Sequence, residues 1–384
     1  MTRPLAAVDP APEKVLIALR AALDGSGPAV RIAPPTAGSD PGPDAVVPQR
    51  VAVVVETSGS SGPPKRVALA TSALLTSASA TLAELGGPGR WLLCLPTHYV
   101  AGVQVLVRSL TADADPLVLP AGGFDAAAFL ALARTMPAGE RRYTSLVPVQ
   151  LARLLDLAES DPAEAAVLAS FDALLIGGQS TPQALRDRAA ALGVRIRLTY
   201  GSSETAGGCV YDGVPLRDVR MRVDDGQVLL GGPTLAEGYL DADGGLDAER
   251  SAASFVTLDG ERWYRTGDAG TVEDGRLRVT GRLDRVIVSG GEKVSLDAVE
   301  HLLREELLPD AVVVRRPDEQ WGEVPVVATT APDIDLAGVR SGVVERLGRA
   351  AAPAAIVVVA EIPQLASGKP DRRALERLAA GGAL

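Results

Sequence analysis

Apolar runs typical of buried β-strands alternate with amphipathic stretches typical of helices through the first half of the chain. The strand-like runs include VAVVV at 51–55 and DALLIGG at 172–178, and the helix-like stretches include QLARLLDLAE at 150–159. A helix between two strands favours parallel pairing, because it carries the chain back across the sheet. The alternation therefore predicts an α/β fold in which helices pack on a largely parallel sheet.

The pattern changes in the second half of the chain. Residues 219–280 contain short strand-like runs separated by Gly or Asp turns, which indicates a small subdomain that is either antiparallel or β-barrel-like. From residue 283 a tight hairpin, a helix that begins at Ser295 and further strands indicate a small α+β unit. We therefore predict a large N-terminal domain of α/β layers over residues 1–282 and a small C-terminal domain over residues 283–384.

Local signals predict further elements near the N-terminus. EKVLIALRAALD at 13–24 has helical periodicity, and the Pro-, Gly- and Asp-rich residues 25–48 predict a long loop. Thr71 is the expected N-cap of the helix that follows the second strand-like run.

Composition excludes several functional classes. The 384 residues carry 38 basic and 48 acidic side chains, so the net charge of −10 argues against nucleic acid as a partner. Cys94 and Cys209 do not form a disulfide framework, and the two His and two Cys lack the spacing of a zinc site. The N-terminus lacks the apolar core of a signal peptide, and no apolar run is long enough to span a membrane. We expect a cytoplasmic protein.

The stretch ETSGSSGPPKRVAL at 56–69 is rich in hydroxyls and glycine, and it contains a lysine, Lys65. Such a loop can bind phosphate through backbone N–H groups, hydroxyls and the Lys65 charge. It is not a Walker loop, because Pro64 and Arg66 stand where that template needs Gly and Ser or Thr. A flexible turn between two strands is the alternative that the loop alone leaves open.

Five more stretches rich in Gly or charge follow or end predicted strands, where α/β proteins bind ligands. They are GGQSTP at 177–182, YGSSET at 200–205, YRTGD at 264–268 with GRLDR at 281–285, SGGEKVS at 289–295, and PQLASGKPDR at 363–372.

In this order the motifs resemble those of the adenylate-forming superfamily of acyl-CoA ligases, adenylation domains and luciferases. The resemblance covers residues 51–372, nearly the whole chain, with Ser203 in place of the usual Thr and Gln179 where Ala is common. The stretch WLLCLPTHYVAGVQVLVRSL at 91–110 is most similar to short actinobacterial-type o-succinylbenzoate–CoA ligases of menaquinone biosynthesis.

The resemblance implies ATP, Mg²⁺ and coenzyme A as ligands, together with a small-molecule acid. A carboxylate first attacks the α-phosphate of ATP to give an acyl-adenylate and pyrophosphate, and the CoA thiol then displaces AMP. Fixed donors and cations should dominate catalysis, because both steps develop negative charge. The resemblance also implies an N-terminal domain that binds ATP and the acid, a mobile C-terminal lid, and a protein that is a monomer or a homodimer.

The resemblance further implies specific roles in ATP binding. Ser203 would bind the α-phosphate, Tyr200 and Gly201 the adenine side, and Asp268 with Arg282 the ribose hydroxyls. Glu204 would bind Mg²⁺, although a glutamate at a helix start is the rival interpretation. Gly177 and Gly178 would line the adenine edge. The residues implied for the β- and γ-phosphates are Thr57, Ser58, Gly59, Ser60, Ser61, Gly62 and Lys65.

The remaining roles concern catalysis and domain motion. Lys369 would reach the α-phosphate and the acid in a first state, after which the C-terminal domain turns about Asp284. In the second state Gly290 and Gly291 would border the CoA pantetheine. His98, beside the acid, would be either a general base or a gate or packing residue. Its companion Arg108 would meet a second carboxylate of the acid, with a structural ion pair as the alternative.

Three other functions share part of this pattern. The chain could activate a different aryl or fatty acid, or it could load the thiol of a separate carrier protein. A non-catalytic nucleotide-binding protein of the same fold is the alternative from a different class. Lys369, Glu204 and Asp268 argue against the last of these.

Overall fold

The computed structural model describes residues 1–32, 45–57, 65–120, 122–365 and 369–382. Within these residues the helices are α1 (Pro12–Asp24), α2 (Thr71–Glu84), α3 (Val100–Thr111), α4 (Ala126–Arg134), α5 (Pro148–Ser160), α6 (Pro162–Ala169), α7 (Gln183–Ala191), α8 (Ala248–Ser254), α9 (Leu296–Glu306), α10 (Leu336–Leu347) and α11 (Arg372–Ala379). None of these described helices combines the length and apolar character that a membrane crossing needs.

The first sheet is mixed and has the strand order β15-β5-β4-β2-β1-β3. Its strands are β1 (Thr2–Val8), β2 (Ala29–Ile32), β3 (Val46–Pro48), β4 (Val51–Thr57), β5 (Lys65–Ala70) and β15 (Gly238–Leu240). β4 and β5 are antiparallel neighbours with Thr57 opposite Lys65, so the two ends of the Ser/Gly loop lie side by side.

The second sheet has the order β12-β11-β10-β9-β8-β6-β7. Its strands are β6 (Arg90–Leu93), β7 (Leu117–Val118), β8 (Arg142–Leu146), β9 (Ala173–Ile176), β10 (Ile196–Ser202), β11 (Gly207–Tyr211) and β12 (Val214–Pro215). Every pairing from β7 to β10 is parallel, and only the β10–β11–β12 edge is antiparallel. The predicted α/β core is therefore confirmed.

The third sheet is antiparallel, with order β13-β14-β17-β16 and with β18 also paired to β17. Its strands are β13 (Arg220–Asp224), β14 (Gln227–Gly231), β16 (Phe255–Leu258), β17 (Glu261–Glu273) and β18 (Arg276–Arg282). This sheet is the antiparallel subdomain predicted from the short strands of residues 219–280.

The fourth sheet contains β19 (Val286–Ser289), β20 (Glu292–Ser295), β21 (Val312–Asp318), β22 (Gly322–Thr329) and β23 (Ala355–Val358). With α9, α10 and α11 it encloses two apolar clusters whose members all lie at or beyond Ile287. Ser295 caps α9 by accepting the N–H of Ala298, as its position predicts.

Two local predictions were wrong. Residues 25–48 are not one long loop, because they include β2 and β3. β2 is only four residues long and entirely buried between β1 and β4, so neighbouring strands rather than local periodicity form it. Thr71 is not the N-cap of α2; it is the first helical residue, and the cap position is Ala70.

A buried ion-pair network stabilises the C-terminal unit. Glu300 is 5% exposed and accepts two hydrogen bonds from Arg372, at 2.6 and 2.9 Å. Arg285 and Arg304 also bind its carboxylate, at 3.3 and 3.1 Å. Burial raises the pKa of Glu300, but the arginines outweigh burial and leave that pKa below its usual range. The network ties the segment after Lys369 and the segment after Asp284 to one helix.

Substituting Glu300→Gln is expected to lower the free energy of unfolding by about 3 kcal/mol, because the arginines lose a buried counter-charge. Glu306→Gln is the matched control on the same helix: it removes an exposed pair with Arg346 at 2.8 Å and should cost less than about 1 kcal/mol. Urea unfolding of both variants measures the difference.

The effect of Glu300→Gln should also depend on pH. The ionised carboxylate contributes stability above the ordinary glutamate value of 4.5, and that stability is lost as the pH falls through the lowered folded-state pKa. The difference in the free energy of unfolding between wild type and Glu300→Gln should therefore become smaller at acid pH. Equal destabilisation by the two variants, or a gap that widens in acid, would contradict the network.

Candidate active site

Residues at the ends of β4, β5 and β10 and within β15 and β17 bring most of the described motif residues together. Thr57 and Lys65 close the Ser/Gly loop, and the ammonium of Lys65 lies 5.0 Å from the centre of the Tyr239 ring. The hydroxyl of Tyr239 donates to Glu204, which follows β10. The residues Ser58, Gly59, Ser60, Ser61 and Gly62 lie outside the described part of the chain.

Glu204 is a buried carboxylate in a short helical turn. It is 6% exposed; its N–H donates to the hydroxyl of Ser202 at 3.2 Å, and its Oε1 accepts from Tyr239 at 2.8 Å. Within the described residues no basic group lies within 4.0 Å of this carboxylate. Buried carboxylates ordinarily have a cationic partner, so the site fits a cation supplied from outside the chain.

Ser203 and Gly201 flank this turn on the same backbone. Ser203 is 8% exposed and begins the turn that Glu204 continues. Gly201 has a φ of +158° and sits so close to β11 that a Cβ would lie 2.3 Å from the carbonyl oxygen of Gly207. Glycine is therefore required there by packing, whatever its role toward a ligand.

Tyr200, Asp268, Arg282 and Asp284 form a continuous polar chain, here called the Asp268 cluster. The Tyr200 hydroxyl donates to Asp268 Oδ2 at 2.6 Å, and Arg282 donates to Asp268 Oδ1 at 3.1 Å. Arg282 also holds Asp284 through two hydrogen bonds of 3.1 Å. Burial raises the pKa of Asp268, although Tyr200 and Arg282 oppose this shift.

Lys369 lies beside the Asp268 cluster. Burial lowers the pKa of its ammonium, the charge of Arg282 lowers it further, and the carboxylate of Asp268 raises it. A loop more than eighty residues after Asp284 thus brings a cation back to the site.

Gly177 and Gly178 directly follow β9, next to the strand that carries Tyr200. Gly290 and Gly291 form the two-residue turn between β19 and β20. Gly290 has a φ of +57° and donates its N–H to the carbonyl of Trp321 at 2.9 Å, a contact within the fourth sheet. The structure therefore brings the first glycine pair near Tyr200 and keeps the second pair with its own sheet.

His98 precedes α3, and its Nδ1 is buried without a hydrogen-bond partner among the described residues. Burial lowers the pKa of His98, so the ring is neutral near pH 7. Its neighbour in sequence, Tyr99, packs against it with ring centres 4.2 Å apart. A neutral ring with an open nitrogen is compatible with either of the predicted roles, base or gate.

Arg108 is a buried cation on α3. It is 3% exposed, and its guanidinium lies 5.0 Å from the centre of the Trp91 ring. Its Nε has no hydrogen-bond partner, and no carboxylate of the described residues lies within 4.0 Å of it. Burial lowers the pKa of Arg108, while Tyr211 raises it. The alternative of a structural ion pair finds no support in these contacts.

Sequence reasoning missed Tyr239 and gave no role to Tyr264, the first residue of the YRTGD motif. Both are buried, and the negative charge of Glu204 adds to burial in raising the pKa of each phenol. The chain has only six tyrosines, and three of them lie here: Tyr200, Tyr239 and Tyr264. In a chain this poor in aromatics, the isolated tyrosine of EGYLD at 237–241 was the available signal.

Comparison with known proteins gives matches over most of the chain. The AMP-binding enzyme family matches residues 3–240, and the AMP-binding enzyme C-terminal domain matches residues 300–369. A probable 2-succinylbenzoate–CoA ligase of Mycobacterium tuberculosis is 41% identical over 382 residues, which cover 96% of each chain.

Two further relatives are longer than this chain. The 2-succinylbenzoate–CoA ligase of Salmonella typhimurium is 33% identical over 305 residues, which are 76% of this chain and 61% of that one. The o-succinylbenzoate CoA synthetase (MenE) of Bacillus subtilis, solved with the acyl-adenylate intermediate OSB-AMP, has a TM-score of 0.72 at 25% identity and covers 85% of this chain and 69% of that one. The chain belongs to the AMP-binding enzyme family.

Proposed function

We propose that this chain is an ATP-dependent 2-succinylbenzoate–CoA ligase, an AMP-forming acid–thiol ligase of menaquinone biosynthesis that works in the cytoplasm. The observation that carries the proposal is that the charges of Asp268 and Arg282 both act on the Lys369 ammonium and shift its pKa. An ammonium is needed there if negative charge develops on an α-phosphate whose ribose binds Asp268. The 41% identity to a probable ligase of the same name supports the choice of acid.

The reaction has two balanced steps. In the first, a carboxylate oxygen of the acid bonds to the α-phosphorus of ATP, and the bond from that phosphorus to the bridging oxygen of pyrophosphate breaks. In the second, the CoA thiol gives up its proton to solvent, its sulfur bonds to the acyl carbon, and AMP leaves with the electron pair of the acyl–oxygen bond. Lys369 stabilises charge in the first step, while Thr57 and Lys65 bind the departing phosphates.

Glu204 is the residue that would hold Mg²⁺. The described residues contain no group of three or more His, Cys, Asp or Glu side chains that could hold a metal, so these residues form no metal cage of their own. Mg²⁺ suits such a site, because it is often bound by one carboxylate together with substrate phosphates and water. The buried Glu204 carboxylate, which lacks a basic partner, fits this requirement. Bound Mg²⁺ would neutralise charge on the phosphates.

The domain boundary belongs to the same proposal. The apolar clusters of the fourth sheet begin at Ile287, and those of the other sheets end at Leu277. We place the boundary between residues 282 and 283 and the hinge at Asp284. Rotation there would break the Arg282–Asp284 pair, withdraw Lys369 and bring the Gly290–Gly291 turn toward the CoA thiol.

The acid site extends along α3 from His98 to Arg108. Arg108 lies about 12 Å along the helix axis from the first residue of α3. 2-Succinylbenzoate has two carboxylates at opposite ends of a long molecule, so one could be activated near His98 while the other meets Arg108. The Trp91 ring beneath the guanidinium holds it without neutralising it. A simple benzoate or fatty acid would leave this buried cation without a partner.

The proposed function is tested by pyrophosphate release from ATP and Mg²⁺ with 2-succinylbenzoate, benzoate or a medium-chain fatty acid, each with and without CoA. We expect release only with 2-succinylbenzoate, and a thioester only when CoA is added. Release with another acid would retain the machinery and reject the substrate. A thioester on a carrier protein but not on CoA would favour the loading enzyme, and no release with any acid would favour the non-catalytic alternative.

Lys369→Ala should separate the two half-reactions. We expect adenylate formation to fall at least 100-fold, because the cation at the α-phosphate is lost, whereas thioester formation from supplied acyl-adenylate should change less than about threefold. Stopped-flow or quenched assays of each half-reaction measure this. The exposed Lys14→Ala is the control and should change neither step. Equal loss of both half-reactions would contradict the two-state assignment.

Arg108→Met should stabilise the fold while it removes acid binding. Methionine keeps contact with Trp91 but removes a buried cation without a carboxylate partner, so the free energy of unfolding should rise by about 1–3 kcal/mol. The KM for 2-succinylbenzoate should rise at least tenfold, with the KM for ATP unchanged. Loss of several kcal/mol of stability would instead assign Arg108 a structural role.

A further inference from the structure

Tyr239 lies between the two charged residues that flank the phosphate end of the site. It is the central residue of β15 and is completely buried. β15 pairs with β5 so that Tyr239 is opposite Val67, and Val67 and Lys65 lie on the same face of β5 because they are two residues apart. The register therefore directs the tyrosine side chain toward the face that carries Lys65.

The Tyr239 hydroxyl acts on one oxygen of Glu204. It donates to Oε1 at 2.8 Å, and Ser254 lies 3.3 Å from the same hydroxyl. A carboxylate that accepts a charge-assisted bond on one oxygen is fixed in rotation and keeps the second oxygen for another partner. The hydroxyl thus selects both the orientation of Glu204 and the oxygen that remains for a metal.

The Tyr239 ring acts on Lys65. The Lys65 ammonium sits 5.0 Å from the ring centre, within the range of a cation–π contact. Within the described residues no carboxylate lies within 4.0 Å of this ammonium. The ring therefore attracts the cation without neutralising it, and the charge stays available for an anion.

On the basis of the proposed function, we propose that Tyr239 is a positioning residue that orients Glu204 toward the metal of the metal–ATP complex and holds Lys65 toward its phosphates. One side chain thereby sets the spacing between a carboxylate and an ammonium. Neither charge needs a direct partner in the chain, because both face the same ligand.

The test uses Mn²⁺ as the metal probe with the full chain and ATP, without acid, so that no adenylate can form. Electron paramagnetic resonance of free Mn²⁺ gives the affinity of the ternary complex. Tyr239→Phe keeps the ring and should weaken Mn²⁺ binding about tenfold, through loss of a hydrogen bond to a charged group. Tyr239→Leu should weaken ATP binding by roughly a further three- to tenfold, through loss of the ring.

Two controls separate positioning from packing. Tyr143→Phe removes a buried hydroxyl that donates to the backbone carbonyls of Leu85 and Gly87, at 3.0 and 3.1 Å. These contacts do not involve Tyr239, Glu204 or Lys65, so this substitution should leave Mn²⁺ affinity unchanged. In a Glu204→Gln background, Tyr239→Phe should add no further loss of Mn²⁺ affinity, because the hydroxyl acts through Glu204. Both controls need only folded protein, which circular dichroism checks.

Unchanged Mn²⁺ affinity in Tyr239→Phe would overturn the inference. An additive loss in the Glu204→Gln background, or an equal loss in Tyr143→Phe, would also overturn it. These results are distinct from failure of the proposed function. Wild-type protein that binds Mn²⁺ and ATP but releases no pyrophosphate with 2-succinylbenzoate would reject the reaction and leave the role of Tyr239 to be judged on metal binding.

Discussion

The hydrogen bonds of Arg282 join β17 to the start of the segment that leads into the fourth sheet. Its guanidinium binds Asp268 of β17 with one edge and Asp284 with the other, and it also donates to the carbonyl of Thr266. Arginine suits this task because its planar fork carries several donors in fixed directions. Asp268, proposed to bind ribose, and Asp284, proposed as the hinge, are thereby joined through a single side chain. A displacement of one carboxylate therefore changes the hydrogen bonds of the other.

Two buried charges of the described residues have no oppositely charged group of these residues within 4.0 Å: the Glu204 carboxylate and the Arg108 guanidinium. Isolated buried charges are costly, so they persist only where the surrounding fold is stable enough to hold them. The two groups suit different ligands: a carboxylate suits a metal bound to phosphates, and a guanidinium suits a carboxylate. The Glu300 network is the contrast, because its charges satisfy one another and contribute to stability.

The sequence predicted the layers of the fold and the components of the site, but it did not predict how they contact each other. The alternation of apolar runs with helical stretches was sufficient for the α/β core, since β6 and β9 fall within the apolar runs RWLLCLP and DALLIGG. It failed for β2, whose four residues become a strand only through β1 and β4. Motif order indicated Asp268 and Lys369, whereas the role of Tyr239 depends on the β5–β15 register, which pairs segments about 170 residues apart. Local patterns carry no information about such a register.

The chain is shorter than the Salmonella relative, and its strand β2 places a buried arginine beside the start of the Ser/Gly loop. The chain covers 61% of the longer Salmonella relative but 96% of the Mycobacterium one, so the shorter form is shared by at least one relative. β2 carries Arg31, which is 1% exposed and donates to Glu56 at 2.9 Å, immediately before Thr57. Arg66, across the β4–β5 pair, also lies 3.4 Å from Glu56. A buried arginine of the four-residue strand β2 is thus paired with Glu56, next to Thr57 at the start of the Ser/Gly loop.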